Sequence, residues 1–269
     1  MAEIASKKST PNNLSELLDK YNNALALNKS SKHNNIEFEV RFKQMPLSNF
    51  EKVYEELIMR GFKVEFNGYL LRIATTFDKN EKQEVFSNIR VELDDMLHIK
   101  QLCSENTLHS DARFVSKRHI DSEHNKPYMM NDYKLRVSIQ NELERLPQTS
   151  DHVLNIQNQW GSSFKTFRYI YRTSLVHEDY PNIRIDLSKV RSNKIKTVYF
   201  MDSNVLKSDE VYEIEIEMTN VEKNFNDQKK LDLLKQMQNS IKFVLSSLQG
   251  TPFPVKYTTL DAVYINYMK

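Results

Sequence analysis

Three glutamates stand on alternate positions in Glu213-Ile214-Glu215-Ile216-Glu217, and a second alternating acidic pair, Glu37 and Glu39, is followed two residues on by Arg41. Alternate side chains of an extended chain share one face, so each run presents its charges in a row about 7 Å apart. Such a row of carboxylates repels itself unless something cationic lies opposite. Carboxylate oxygens suit Mg²⁺ or Mn²⁺. Other alternating runs carry basic positions: Arg90, Lys134 and Arg136, Arg168 and Arg172, and Arg184 two residues before Asp186. Arginine offers a planar fork to phosphate oxygens. Acidic rows for a metal and basic rows for a polyphosphate together describe a metal-dependent site for a triphosphate.

The strands that must carry these rows read clearly by parity. Ile36, Phe38, Val40 and Phe42 oppose Glu37, Glu39, Arg41 and Lys43. Tyr212, Ile214, Ile216 and Met218 oppose the three glutamates. Ile183, Ile185 and Leu187 oppose Arg184, Asp186 and Ser188, and Ile89, Val91 and Leu93 oppose Arg90 and Glu92. Tyr133, Leu135, Val137 and Ile139 oppose Lys134, Arg136, Ser138, Gln140 and Glu142. Phe167, Tyr169, Tyr171 and Leu175 oppose Arg168, Ile170, Arg172 and Ser174. The plain reading is an antiparallel sheet with one wet face. Closing these strands into a barrel turns every polar face inward and leaves the apolar faces for helices to cover, the inverse of an apolar-filled barrel. A charged lumen is costly to desolvate, so it must stay wet and compensated.

Helical spacing predicts helices over Asn13 to Leu27 and Asp227 to Leu248. A third is expected from Ser48, with Glu51 completing a capping box and Gly61 as the stop. Asp94 is expected to cap a short helix through Cys103, and Asn67-Gly68 reads as a type I′ hairpin turn. Residues 1–12 are polar and expected to be flexible, and residues 13–269 form one α+β domain dominated by antiparallel strands. Most Tyr and Phe fall on apolar strand faces and read as core.

Composition closes several alternatives. The 269 residues carry 38 Lys+Arg against 36 Asp+Glu, a net charge of +2, so there is no uniformly basic surface for nucleic acid. The four glycines are scattered, which excludes a P-loop and a dinucleotide fingerprint; phosphates must be held by side chains. Cys103 is alone, so neither an internal disulfide nor a thiolate zinc cluster forms. His109, Asp111, His119, Asp121 and His124 crowd one region without a metal-ligand template and read as a polar loop and strand edge. No apolar run approaches the ~20 residues of a membrane span, and there is no signal-peptide core.

The ordered set Glu37-Phe38-Glu39-Val40-Arg41, Arg184-Ile185-Asp186 and Glu213-Ile214-Glu215-Ile216-Glu217, with basic strands at Arg136 and Arg168 to Arg172, resembles the triphosphate tunnel metalloenzymes. Within that family it is most similar to the RNA 5′-triphosphatase domain of mRNA-capping enzymes of large cytoplasmic DNA viruses. The resemblance implies an antiparallel eight-stranded β-barrel with a hydrophilic lumen, flanked by a few helices. It further implies Mg²⁺- or Mn²⁺-dependent removal of the γ-phosphate from a nascent RNA, the first step of capping. Glu37, Glu39 and Glu217 would hold the metal, while Glu213 and Glu215 would complete the carboxylate network and orient the water. Arg172 and Arg184 would grip the terminal phosphates, supported by Arg41, Arg90, Lys134, Arg136 and Arg168, and Asp186 would orient neighbouring arginines. For each arginine the alternative is a structural ion pair across the tunnel.

The resemblance also implies a partner, the 5′-triphosphate end of RNA, and no DNA or membrane partner. The setting would be cytoplasmic: host cytoplasm, viral factory or virion. No KxDG nucleotidyl-transfer motif occurs, so guanylyltransferase and methyltransferase modules would lie elsewhere, the chain being the N-terminal part of a longer capping enzyme. Ile170 stands where relatives often carry lysine, with Lys165 and Lys134 as substitutes, and the glutamate after the Arg136 strand is either Glu142 or Glu144. Two other activities fit the same residues: an inorganic triphosphatase or NTPase, and a degenerate module that binds RNA ends or a capping partner.

Overall fold

The computed structural model describes residues 14–27, 34–42, 44–79, 83–120, 128–130, 135–143, 145–193 and 195–249. In chain order the strands are β1 (Asn34–Arg41), β2 (Lys63–Lys79), β3 (Gln83–Leu93), β4 (Arg113–His119), β5 (Tyr128–Met130), β6 (Leu135–Leu143), β7 (Lys165–Val176), β8 (Ile183–Ser192) and β9 (Val211–Met218). The helices are α1 (Leu14–Leu27), α2 (Leu47–Met59), α3 (Met96–Glu105), α4 (Asp151–Gln159) and α5 (Asp227–Gln249).

The strands pair in the order β1-β9-β8-β7-β2-β3-β4-β6-β5, and β1 pairs again with β6. Every ladder is antiparallel. The second β1 pairing closes eight strands into a barrel and leaves the three-residue β5 as an appendage on β6. Closure removes the exposed edges that an open sheet would present.

Parity sorts the barrel wall as the alternating sequence requires. Phe38, Val40, Ile185, Ile214 and Ile216 are fully buried on the outer face, each worth roughly 1.5–3 kcal/mol of transfer free energy. They join α1, α2 and α5 in one apolar cluster over β1, β6, β8 and β9. A second cluster lies under α3 and α4, built on Leu71, Ile73, Val91, Phe114 and Phe167. The molecule thus has two outer cores and a polar interior.

Four local expectations need correction. Asn67-Gly68 is not a turn: both lie inside the continuous β2, opposite Thr173 and Arg172 of β7. The long ladder with β7 overrides the turn propensity of the dipeptide. Gly68 is there for space, since a Cβ would come within 2.9 Å of the Phe66 ring. The helix α2 begins one residue before Ser48 with Pro46 as its N-cap, and no side chain caps it. A proline needs no donor at that end, so the expected Ser48/Glu51 box does not form. Gly61 does end the segment, at φ +92°. Asp95, not Asp94, caps α3, its Oδ1 accepting from the Leu97 and His98 amides; Asp94 instead meets Arg113 at 3.0 Å. Lys165, offered as a phosphate contact, shares the outward parity of Phe167 and is fully buried. Its ammonium donates to the carbonyls of Trp160 (2.5 Å), Ser163 (3.1 Å) and Val198 (3.0 Å).

Candidate active site in the barrel lumen

The two acidic runs are brought side by side because β1 pairs with β9, which sets Glu39 opposite Glu217 and Arg41 opposite Glu215. On the other side of β9, Glu217, Glu215 and Glu213 face Arg184, Asp186 and Ser188 of β8. Next round the wall come Arg172 and Arg168 of β7, then Arg72 of β2, opposite Arg168, and then Glu92 of β3. Arg136 and Glu142 of β6 complete the circle beside β1.

Ion pairs hold this ring together. Arg172 reaches Asp186 (3.0 Å) and Glu215 (3.4 Å), and Arg184 reaches Glu217 (2.6 Å) and Asp186 (3.3 Å). Arg41 pairs with Glu215 and Glu39, and Arg136 lies 3.9 Å from Glu39. Arg168 pairs with Glu213, and Arg90 with Glu92 at 2.6 Å and Glu142 at 3.6 Å. Each lumenal arginine in the expected set therefore has a carboxylate partner. That does not exclude a ligand role, because a bound polyanion and cation can exchange with these pairs.

The pairs do not cancel evenly. Burial, and then Glu37, push the Glu217 carboxyl up to about 7, with Asp186 adding to the rise. Burial and Glu215 push Glu39 up as well. At the opposite pole, burial and Arg72 hold Arg90 below its ordinary value. Burial likewise lowers Arg168, against the larger opposing effect of Glu213, with Arg72 adding to the fall. Where opposite charges are balanced the shifts run the other way. Glu92, against the cost of burial, is held at about 2 by Arg72, Arg90 and Arg113. Glu215 is held at about 2 by Arg41, Arg172 and Arg72. Carboxylate is thus crowded around Glu217 and Glu39. The arginines gathered at the other end divide: Arg90 and Arg168 are lowered by burial, whereas Arg41 and Arg72, against the cost of burial, are raised by the carboxylates beside them.

The carboxylate pole fits a hard divalent cation by its donor set. Glu37, Glu39 and Glu217 offer only oxygen. The Oε1 of buried Glu39 and Oδ1 of buried Asp186 meet guanidinium groups, of Arg41 at 3.1 Å and Arg184 at 3.3 Å, without a well-aligned hydrogen bond. The guanidinium pole opens into a cavity of about 390 Å³ lined by Arg41, Arg72, Arg90, Arg168, Ser192 and Asn193.

Sequence reasoning missed Arg72 and Lys117. Arg72, 2.9 Å from Glu92, was hidden by splitting β2 at Asn67-Gly68; the alternation of Leu71, Ile73 and Thr75 around it was the available signal. Lys117 bridges Glu37 (2.5 Å) and Glu142 (2.7 Å). It lies between His109 and His119, in the stretch whose sequence reads as a polar loop and strand edge. Those contacts place Glu142 in the lumen; Glu144, Lys43 and Lys134 lie outside the described residues. Ile170 is fully buried beside Leu70 and Val190, an apolar interruption in the lumenal wall. His109 and Asp111 do meet, together with His98, on the outside of the barrel, the two imidazoles stacked with centroids 3.5 Å apart. His119 contributes no described side chain, and Asp121 and His124 lie outside the described residues.

No protein-family model matches the chain, and no curated protein does. Among solved structures, the RNA triphosphatase domain of a trifunctional mimivirus mRNA capping enzyme superposes with a TM-score of 0.56 at 18% identity, covering 86% of this chain and 95% of that one. A triclinic structure of the mimivirus capping enzyme triphosphatase gives 0.55 at 17% identity, over 86% and 96%. S. pombe Pct1 RNA triphosphatase gives 0.44 at 16% identity, over 97% and 92%. With its closed antiparallel eight-stranded barrel and charged lumen, this chain has the triphosphate-tunnel fold seen in the mimivirus RNA triphosphatase domain.

Proposed function

We propose that the protein is a divalent-metal-dependent RNA 5′-triphosphatase, which removes the γ-phosphate of a triphosphate-ended RNA and leaves a 5′-diphosphate end for capping. The observation that carries this reading is the sorting of charge inside one lumen: the carboxylates Glu37, Glu39 and Glu217 on the adjoining strands β1 and β9, and Arg41, Arg72, Arg90 and Arg168 around one cavity. Likeness of fold to the mimivirus domain supports the substrate class.

Phosphoryl transfer needs little covalent help, so positioning and charge neutralisation set the rate. When bound, Mg²⁺ or Mn²⁺ would polarise the phosphate oxygens and neutralise their charge. Glu37, Glu39 and Glu217 would hold it. Glu213 and Glu215 fix Arg168, Arg41 and Arg172 and, through those arginines, orient the phosphate chain. Asp186 keeps Arg172 and Arg184 aimed into the lumen. The buried carboxyl of Glu217, ionised only above about pH 7 before a cation arrives, gives up its proton as the site fills.

Release of labelled γ-phosphate from triphosphate-ended RNA, with and without Mn²⁺, tests the assignment. Turnover should require the metal, and Glu37→Ala or Glu217→Ala should reduce it at least a hundredfold, roughly the loss of one charge-stabilising group. Full activity in either variant overturns the metal-site assignment. Retained RNA binding without metal-dependent turnover in the wild type would show a binding module instead.

A further inference from the structure

The tunnel has two ends, and they differ. On β1, β7, β8 and β9 the carboxylate pole (Glu37, Glu217) and the guanidinium pole (Arg41, Arg168) lie toward opposite strand ends. The carboxylate pole lies against α1: Tyr21 is 2% exposed, packs on Phe38, and has its hydroxyl held up by burial and by Glu217 and Glu37. The guanidinium pole opens into the arginine-lined cavity. Four arginines around one cavity make that mouth the one that attracts a polyanion arriving from water.

Next to that cavity, two residues before the lining residue Thr166, stands Phe164. It precedes β7 and shares the parity of Thr166 and Arg168, so the alternation of the strand carries it to the lumenal side beyond the cavity wall, which Phe167 also helps to line. It is 44% exposed, unlike the buried Phe167 on the opposite parity. Its backbone is fixed on two sides. The Phe164 carbonyl accepts from the Thr76 amide (2.9 Å) and hydroxyl (3.1 Å). The next residue, Lys165, exchanges two backbone hydrogen bonds with Thr197 (2.8 and 3.1 Å). The Lys165 ammonium then ties the preceding turn together through the Trp160, Ser163 and Val198 carbonyls. An aromatic ring on so rigid a rim is a preformed stacking surface. Phe164 sits four residues beyond Arg168, roughly 13 Å along the strand, a span that a phosphate chain and one nucleoside fill.

We infer that RNA enters through the arginine mouth and that its 5′-terminal nucleobase stacks on Phe164, which makes this residue the point where an RNA end is distinguished from inorganic polyphosphate. The inference rests on the RNA triphosphatase reading and gives it a direction. Stacking on an aromatic face is tolerant of base identity, as an enzyme serving many transcripts requires.

The test compares wild type, Phe164→Ala and Phe164→Trp on two substrates, triphosphate-ended RNA and inorganic tripolyphosphate, by KM for phosphate release. Anisotropy of a labelled 5′-diphosphate RNA, which has no γ-phosphate to lose, reads binding without turnover. Phe164→Ala should raise the RNA KM and the diphosphate-RNA Kd roughly tenfold, within the range of one base–aromatic stack. It should leave the tripolyphosphate KM unchanged, and Phe164→Trp should restore RNA affinity. Glu178→Ala should alter none of these, since Glu178 is exposed beyond the other end of β7 and pairs with Lys63 on the surface. Unchanged RNA affinity in Phe164→Ala overturns the inference, as does an equal loss with tripolyphosphate. A wild type that releases phosphate from neither substrate refutes the RNA triphosphatase reading, while the anisotropy series still decides whether Phe164 holds an RNA end.

Discussion

Glu217 shows how one side chain links the lumen to solution conditions. Its folded value of about 7 lies above the ordinary carboxylate value of 4.5. Between those two the folded protein binds more protons than the unfolded chain, so this group's contribution to stability is complete below pH 4.5 and lost as pH rises through 7. A divalent cation at the site removes that loss. Mn²⁺ should therefore raise Tm more at pH 8 than at pH 6, a difference visible by calorimetry, and Glu217→Gln should abolish the difference. Glu215 and Glu92 behave oppositely: both are held at about 2, so their contribution is present above pH 4.5 and disappears on acidification toward 2. At this scale the sequence was informative wherever charges alternate within one run. It could not show which carboxylates remain in surplus, because that depends on Arg72 and Lys117, which arrive from distant strands.

Among the elements, β2 carries the sharpest lesson. Asn67-Gly68 has hairpin chemistry, yet β7 supplies an unbroken ladder from Phe66 to Thr75, so the backbone stays extended. Asn67→Val should consequently change unfolding free energy by no more than about 0.5 kcal/mol in a denaturant titration, as for an ordinary surface site. A true I′ turn would be broken by a β-branched residue and would lose far more. The segment joining α4 to β7 depends instead on one buried ammonium. Lys165→Met removes the donor to three carbonyls and strands them in an apolar setting, at a cost of about 1–3 kcal/mol for each acceptor left unsatisfied. Thermal unfolding of that variant should begin well below the wild type. The sequence displayed Lys165 only as a cation near an arginine strand; its parity with Phe167 was the clue that it points outward.

On the scale of the whole molecule, the near-zero net charge conceals a strongly divided interior. Acidic and basic rows of similar size face one lumen, so their sum says little about affinity for polyanions. What it does limit is tracking along RNA. Binding of triphosphate-ended RNA should show a salt slope near −3, from about four phosphates neutralised at 0.7 each, and lengthening the RNA beyond the first few nucleotides should leave that slope unchanged. The closed barrel and its inverted faces were legible because period-two alternation persists in most strands. The partition of the apolar faces into two cores was not, since it depends on which helices land on which side of the wall.

That partition has a mechanical consequence. An ordinary barrel is glued from within, whereas here the two apolar masses sit back to back across a wet partition and are joined by ladder hydrogen bonds and lumenal ion pairs. The structure resembles an arch built before its keystone is set. A phosphate chain with its cation, if lodged between the two halves as proposed, would occupy the keystone position and make the halves yield as one.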